Sequence, residues 1–170
     1  MTVEKDKTTT KHIISLYVAN KPGVLIRISL VFARRGYNID SLVVSEAHDK
    51  AFSRMNIVAT GDKKTLDQIL KQLNKLVDVV YAKDNTGEDI IEQELALFKV
   101  SCTKQNRTEV LQVAMAFNAE TVDLGPNSIT FQASGKSDKL DAVNAFFESY
   151  GIIEVVRSGK LLIARGDSSS

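Results

Sequence analysis

The 170-residue sequence predicts an α+β protein built from two tandem copies of one βαββαβ unit. Three observations predict this fold class. Segments in which apolar and polar residues alternate, typical of strands, lie between segments with the helical spacing of apolar residues. These segments follow the same order in both halves of the chain. A short stretch also repeats residue by residue, because residues 61–67 align with residues 135–141.

The first unit begins with a strand predicted over residues 12–19, where apolar residues alternate. The turn Asn-Lys-Pro-Gly follows at 20–23, and a helix is expected over 22–35 because proline is tolerated in the first turn of a helix. Gly36 ends this helix at a position where a left-handed cap is common. The apolar residues at helical spacing are Val24, Leu25, Ile28, Val31 and Phe32.

Two further strands are predicted over residues 38–46 and 52–60, with a polar turn between them. A second helix follows Gly61, with Asp62 as its N-cap, and its apolar positions repeat at i, i+3, i+4 and i+7. A fourth strand is expected over 77–83. The order of the first unit is therefore β-α-β-β-α-β.

The second unit repeats this order after a polar linker over residues 85–92. A strand over 94–102 precedes a helix for which Asn106 and Glu109 form a capping pair. Short strands follow at 120–124 and 128–133, and Ser137 is expected to cap the next helix. The last predicted strands cover 152–156 and 161–164.

An internal repeat decides the architecture of a chain. Units of this order are ferredoxin-like and form a four-stranded antiparallel sheet with two helices on one face. We therefore expect one domain over residues 12–84 and another over residues 93–166. Residues 1–11 and 167–170 are expected to be flexible tails.

Composition limits the classes of function. Hydrophobic residues make up 44% and charged residues 25%, which is ordinary for a globular protein. The net charge is +1 without a basic stripe, which disfavours binding to nucleic acid or to anionic membranes. No apolar stretch reaches the ~20 residues of a membrane span, and the polar start resembles neither a signal peptide nor a transit peptide. A soluble, cytoplasmic protein is expected.

The sequence lacks the usual motifs of catalysis and metal binding. Cys102 is its single cysteine, expected to be a small buried hydrophobe. His12 and His48 lie at predicted element edges, without ligands at metal spacing, and are expected to be solvated. Phosphate-binding loops, dinucleotide fingerprints and nucleophile elbows are also absent. We therefore expect no catalytic residues and no metal site, which favours a binding module.

RNA-recognition domains share this element order and remain a remote alternative. They stack bases on aromatic side chains of the central strands. Here the corresponding strands of the first unit offer only Tyr17 and, at an edge, Phe52. No block of mixed basic and aromatic residues is present.

The turn at residues 20–25 is the candidate binding feature. A helix N-terminus presents unpaired N–H groups and suits a carboxylate, and Gly23 permits close approach to the backbone. Asn20 offers a side-chain carbonyl to an ammonium group. From spacing alone, a simple capped turn remains the stronger interpretation. The same holds for Asn38, which resembles a turn residue that bonds its own backbone.

Several sequence blocks resemble the regulatory (small) subunits of acetohydroxyacid synthase, also called acetolactate synthase. The resemblance covers residues 12–167 and is most specific in Arg-Gly-Tyr-Asn-Ile-Asp-Ser-Leu at 35–42. It implies an N-terminal ACT domain and a C-terminal ACT-like domain. The other matching blocks are residues 20–25, 53–55, 71–79, 153–159 and 164–166.

The resemblance implies a function and a partner. The chain is expected to bind a separate catalytic subunit that carries thiamine diphosphate, Mg²⁺ and FAD, and to hold no cofactor itself. It would raise the activity of that subunit and confer feedback inhibition by valine or a related branched-chain amino acid, in valine, leucine and isoleucine biosynthesis. The alternative is a stand-alone amino-acid-sensing ACT module that acts on another partner.

The resemblance also implies an effector site between the ACT domains of a homodimer. One chain would supply the turn before the first helix, and its partner would supply the start of the second strand. The corresponding turn of the second domain, residues 103–106, lacks the Pro-Gly pair, and no effector is expected there. The expected effector-binding residues are Asn20, Pro22, Gly23, Val24, Leu25, Asn38 and Ile39.

Overall fold

The computed structural model describes residues 10–166 and confirms the two predicted βαββαβ units. The first unit contains β1 (Thr10–Ala19), α1 (Val24–Ala33), β2 (Asn38–Glu46), β3 (Phe52–Gly61), α2 (Lys63–Leu73) and β4 (Val79–Asp84). Its strands form an antiparallel sheet in the order β2-β3-β1-β4, so β2 and β4 are the edges of this sheet.

The core of the first unit lies between the sheet and its two helices. Alternate residues of β1, including Ile14, Leu16 and Val18, are buried against α1 and α2. Phe32 from α1 and Leu66 from α2 are buried opposite them. Each fully buried side chain of this size contributes roughly 1.5–3 kcal/mol relative to an exposed one. The alternating apolar residues of the strands and the helically spaced apolar residues of the helices therefore pack together in one apolar layer.

The second unit contains β5 (Ile90–Ser101), α3 (Arg107–Ala116), β6 (Glu120–Leu124), β7 (Ser128–Gly135), α4 (Ser137–Glu148) and β8 (Ile152–Arg157), and the short strand β9 (Leu161–Ala164) follows. The arrangement of the first unit is repeated, with strand order β6-β7-β5-β8, and β9 pairs with β5 outside that order. The core of the second unit is built around three phenylalanines, Phe98, Phe131 and Phe147, all fully buried.

The division of the chain differs in detail from the predicted domain bounds. Among the described residues, those up to Ile91 and those from Leu162 onward form one compact unit, and Glu92–Leu161 forms the other. β5 begins at Ile90, so the last part of the expected linker is strand. The predicted tails lie outside the described residues except for Thr10 and Lys11, which belong to β1.

The start of α1 is a correction to the sequence prediction. The helix begins at Val24 instead of Pro22, because Gly23 has a φ of 83° and a left-handed residue cannot continue a right-handed helix. Pro22 therefore belongs to the turn that precedes the helix. At the other end, α1 stops at Ala33, and Gly36 has the expected positive φ, 60°.

The predicted caps have mixed outcomes. Asp62 caps α2 as expected, since its Oδ1 accepts a hydrogen bond from the Thr65 backbone N–H at 2.9 Å. Asn106 occupies the N-cap position of α3, but the predicted capping pair does not form, because the Oδ1 of Asn106 accepts from the Thr103 N–H at 2.7 Å, outside the helix. Ser137 is the first residue of α4 instead of its cap, and its hydroxyl donates to Glu94 Oε2 at 3.0 Å.

Two further predictions for single residues are wrong. His12 is only 4% exposed, with its Nε2 2.8 Å from the Thr10 hydroxyl, because it faces the core side of β1. β4 begins at Val79 instead of residue 77, since Val77 lies in the preceding turn and is fully exposed. Cys102 is buried and His48 is exposed, as predicted.

A buried carboxylate ties three elements of the second unit together. Glu94 on β5 is 7% exposed and accepts two hydrogen bonds from the Arg157 guanidinium on β8, at 2.9 and 2.7 Å. Ser137 on α4 donates to the same carboxylate. Burial alone would raise the pKa of Glu94, but the hydrogen bonds from Arg157 and Ser137 outweigh it and lower the pKa.

We expect Glu94→Gln to be about 1–3 kcal/mol less stable than the wild type at pH 7, because the charged partner of Arg157 is lost. A carboxylate with a lowered pKa stabilises the folded state above its unfolded pKa, about 4.3, and this contribution disappears as the pH falls through the folded pKa. The difference between the two proteins should therefore shrink at pH 3. Urea unfolding at both pH values measures it.

The matched control is Glu120→Gln on the exposed strand β6, expected to change stability by less than about 0.5 kcal/mol. A difference between wild type and Glu94→Gln that stays the same at pH 7 and pH 3 would contradict the assigned role of Glu94.

Candidate functional site

The turn between β1 and α1 is anchored to the loop between β2 and β3. The Asn20 backbone N–H donates to the Ala51 carbonyl at 2.8 Å, and the Asn20 side-chain Nδ2 donates to the Lys50 carbonyl at 3.1 Å. Since a carbonyl only accepts, the amide nitrogen of Asn20 must face Lys50. Its side-chain oxygen is therefore left for another donor.

The N-terminus of α1 has no side-chain cap among the described residues. The first helical hydrogen bond runs from the Arg27 N–H to the Gly23 carbonyl at 3.1 Å, and the Val24 N–H has only a long contact, 3.4 Å, with the Lys21 carbonyl. The first N–H groups of a helix lack intrahelical partners and lie at the positive end of its dipole. This end of α1 is chemically suited to a carboxylate.

Arg27 and Asp78 brace the turn, and neither residue was predicted from the sequence. The Arg27 guanidinium donates to the Asp78 carboxylate at 2.6 Å, and the Asp78 backbone carbonyl accepts from the Ala19 N–H at 2.7 Å. A Cβ atom added to Gly23 would lie 3.3 Å from Arg27 Nη1. The available signal was the spacing of Arg27, one helical turn after Gly23.

The predicted residues of the turn differ in what they can offer to a ligand. Asn20 and Pro22 are exposed, and Leu25 is 39% exposed. Val24 is buried in the core, so only its backbone is available to a ligand. Ile39 on β2 is half-buried and packs against the same core.

The start of β2 carries a second polar cluster. The Asn38 Nδ2 donates to Asp40 Oδ1 at 2.8 Å, and the Thr60 hydroxyl on β3 donates to Asp40 Oδ2 at 2.6 Å. The β2–β3 register shifts between Ile39 and Ser41. Asp40 and Thr60 were not predicted from the sequence. The spacing of Asp40, two residues after Asn38 on a strand, was the signal for a shared face.

Tyr37 fixes the backbone immediately before Asn38. Its ring is buried, and a Cβ atom on Gly61 would lie only 2.3 Å from it, so this close approach requires glycine. Burial, followed by the negative charges of Asp62 and Asp84, raises the pKa of Tyr37 to about 12. The phenol therefore stays neutral at physiological pH.

One chain does not bring the two halves of the predicted site together. Ala19, before the turn, pairs with Phe52, whereas Asn38 pairs with Thr60. Phe52 and Thr60 are eight residues apart on β3, roughly 27 Å at about 3.4 Å per residue. The turn and the start of β2 therefore lie at opposite ends of the sheet.

The equivalent turn of the second unit is closed by its own side chains. Asn106 Oδ1 accepts from both the Thr103 N–H and its hydroxyl, at 2.7 and 3.1 Å. The Arg107 guanidinium donates to the carbonyls of Gly125 and Pro126 at 2.8 and 2.6 Å. These contacts leave this turn less open to a ligand than the turn at Gly23.

Within residues 10–166 there is no group of three or more His, Cys, Asp or Glu side chains arranged to hold a metal ion. None of the helices in this range is long and apolar enough to cross a membrane.

Comparison with known families agrees with this architecture. Residues 14–81 match the family described as "AHAS small subunit-like ACT domain", and residues 93–166 match "Small subunit of acetolactate synthase". Two ferredoxin-like units, the first with an uncapped helix N-terminus after β1, define a protein of the tandem ACT-type class.

Comparison with individual proteins identifies the family within this class. The chain is 40% identical over 158 residues to the acetolactate synthase small subunit of Mycolicibacterium smegmatis, covering 93% of each chain. It is 40% identical over 157 residues to a probable small subunit of Archaeoglobus fulgidus, covering 92% of this chain and 98% of the other. The chain belongs to the family of acetolactate synthase small (regulatory) subunits.

A solved structure of this family has the same fold. The crystal structure of the acetolactate synthase small subunit from Thermotoga maritima superposes with a TM-score of 0.83 at 32% sequence identity. The match covers 94% of this chain and 99% of the other. Both units are therefore shared with a family member.

Proposed function

We propose that this chain activates the catalytic subunit of acetolactate synthase and makes it sensitive to valine or a related branched-chain amino acid. Membership of the small-subunit family supports this function. Thiamine diphosphate, Mg²⁺ and FAD are assigned to the catalytic subunit, and the reaction takes place there. We expect the complex to act in the cytoplasm. The role of this chain is to bind the effector and to change the equilibrium between states of the complex.

The proposal rests on the positions of two features, the turn before α1 and the start of β2, relative to the edge of the sheet. β2 is an edge strand, and its last residue, Glu46, pairs with Ser53, beside the Ala19–Phe52 pair that precedes the turn. If β2 pairs antiparallel with β2 of a second copy, Asn38 of one chain lies beside the end of the partner's β2. That end carries the partner's turn.

The twofold axis of such a homodimer makes the arrangement reciprocal and creates two equivalent pockets. The surface of α1, which packs beside β2, supports the same dimer. Leu25, Ile26 and Leu30 on this helix are 39%, 65% and 45% exposed, so α1 offers apolar area for a second subunit to cover.

The chemistry of the pocket suits an amino acid. Its carboxylate would meet the N–H group of Leu25 and that of Val24, which has only a long contact with the Lys21 carbonyl. The helix dipole there contributes roughly 0.3–2 kcal/mol. The amide nitrogens of Asn20 and Asn38 are both engaged within the chain, so their side-chain oxygens face the ligand as acceptors for its ammonium group. The apolar side chains of Leu25 and Ile39 would contact the branched side chain.

Inhibition requires that the effector binds one state of the complex better than the other. A pocket built from two chains meets this requirement, because a ligand that bridges the chains favours one relative orientation of the two subunits. The catalytic subunit would then respond to the geometry of the dimer. The effector never needs to contact the reacting groups.

We expect L-valine to bind the purified chain saturably, with one molecule per pocket and two per dimer. Isothermal titration calorimetry measures this stoichiometry, with isoleucine, leucine and D-valine alongside. One extra methylene is worth about 0.8 kcal/mol when buried, so valine and isoleucine should differ by only a few-fold in affinity. D-valine should bind much more weakly, since its ammonium and side chain exchange places.

A chain that binds none of these amino acids but still activates the catalytic subunit would be an activator without a sensor. A chain that neither binds them nor copurifies with the catalytic subunit would contradict the proposed function.

A further inference from the structure

Asp40 holds both neighbouring polar side chains at the start of β2. Its Oδ1 accepts from the Asn38 amide nitrogen at 2.8 Å, and its Oδ2 accepts from the Thr60 hydroxyl at 2.6 Å. An ionised carboxylate can only accept hydrogen bonds. The amide nitrogen of Asn38 must therefore face Asp40, and the amide oxygen must face the other way. Among the described residues, no group donates to this oxygen.

The backbone explains why Asp40 reaches both partners. β2 pairs Ile39 with Ala59 and Ser41 with Val58, so Asp40 is the additional residue of a β-bulge. A bulge bends its strand and re-aims the side chain of the extra residue. Here the carboxylate lies between a residue of its own strand and Thr60 of the neighbouring strand. Thr60 fixes the carboxylate, and the carboxylate fixes Asn38.

We propose that Asp40 is a positioning residue that sets the amide orientation of Asn38, so that the pocket recognises ligands bearing an ammonium group. This inference rests on the proposed function, because it takes the start of β2 to be half of an effector pocket. The negative charge of Asp40 acts in the same direction, since it favours a cation beside the Asn38 oxygen. Asp40 determines ligand class through Asn38 and without direct contact with the ligand.

The test replaces Asp40 by asparagine, which has the same shape. The new amide both donates and accepts, so it no longer dictates which way the Asn38 amide faces. We expect Asp40→Asn to bind L-valine at least tenfold more weakly in calorimetry, since a hydrogen bond to a charged group is worth about 1.5–3 kcal/mol. The control is Asp67→Asn, an exposed aspartate on α2, which should bind like the wild type.

A spectroscopic measurement separates positioning from a general structural effect. In ¹⁵N–¹H NMR spectra of the ligand-free protein, the side-chain amide signal of Asn38 should shift in Asp40→Asn and stay unchanged in Asp67→Asn. An Asn38→Ala spectrum assigns this signal. The remaining backbone signals report whether each variant is folded.

Weaker L-valine binding together with a shifted Asn38 signal supports the proposal. Unchanged binding in Asp40→Asn overturns it, and so does weaker binding with an unshifted Asn38 signal. If the wild type binds no branched-chain amino acid, the sensing part of the proposed function and the ligand-class role of Asp40 both fail. The NMR signal then still decides whether Asp40 orients Asn38, so the two failures remain distinguishable.

Discussion

Asn38→Ala is expected to lose most of its inhibition by valine at concentrations that inhibit the wild type, while activation of the catalytic subunit stays intact. The substitution removes the amide oxygen that we assign to the effector's ammonium group and leaves β2 paired with β3. A hydrogen bond to a charged group is worth about 1.5–3 kcal/mol, so the valine concentration for half-inhibition should rise at least tenfold. The measurement is acetolactate formation by the reconstituted complex over a range of valine concentrations.

The control for this experiment is Asn144→Ala on α4, where the amide nitrogen donates to Glu148 on the same helix. This variant should be activated and inhibited like the wild type. Full valine sensitivity in Asn38→Ala would show that the start of β2 is not part of the pocket. Loss of activation together with inhibition would instead indicate a defect in subunit assembly.

Phe147→Ala is expected to have the largest effect on stability. Phe147 is fully buried on α4, with its ring stacked on Phe131 at 5.3 Å between centroids and close to Phe98 at 6.2 Å. Removing a buried phenylalanine costs about 3–5 kcal/mol, because transfer energy is lost and a cavity remains. Domains of this size are stable by only about 5–15 kcal/mol. Urea unfolding and hydrogen exchange in residues 92–161 measure the loss.

Its neighbour in the sequence provides the matched control. Phe146 is 49% exposed and contacts Phe117 edge to face at 5.6 Å, a pair worth about 0.5–1.5 kcal/mol. Phe146→Ala should therefore cost no more than about 1.5 kcal/mol. Equal losses in the two variants would contradict the position of α4 over the phenylalanine core.

The order of strands and helices was predictable because the spacing of apolar residues, alternate in strands and at helical intervals in helices, shows which side of each element is buried. Residues Ile14, Leu16 and Val18 alternate in the sequence and are all buried on one face of β1. The prediction for His12 was wrong because it did not follow this alternation, which places His12 on the core side. Its residue type suggested exposure, whereas its position in the period predicted burial. The period was the better guide.

The ends of elements were harder to predict because single side chains decide them. Proline fits both a turn and the first turn of a helix, so only the left-handed φ of Gly23 places the start of α1. Asn106 fits a helix cap and an open loop equally well, and the Thr103 N–H competes successfully for its oxygen. The exact ends of helices therefore depend on backbone angles and hydrogen bonds that the neighbouring residue types do not determine.

The candidate site was only partly accessible from the sequence. Resemblance supplied Asn20, Gly23 and Asn38, and the structure adds the groups that orient them. The roles of Asp40 and Thr60 depend on the β2–β3 register, which pairs residues 22 positions apart, Asn38 and Thr60. The brace between Arg27 and Asp78 spans 51 positions. Neither contact follows from periodicity.

The separation of the turn and the start of β2 at opposite ends of one sheet has a genetic consequence. In the proposed dimer, each pocket takes its turn from one chain and its Asn38 from the other. A chain altered at Gly23 and a chain altered at Asn38 would each form a homodimer with two defective pockets. A mixed dimer would concentrate both defects in one pocket and leave the other intact. Two feedback-resistant alleles would therefore complement each other in the same cell.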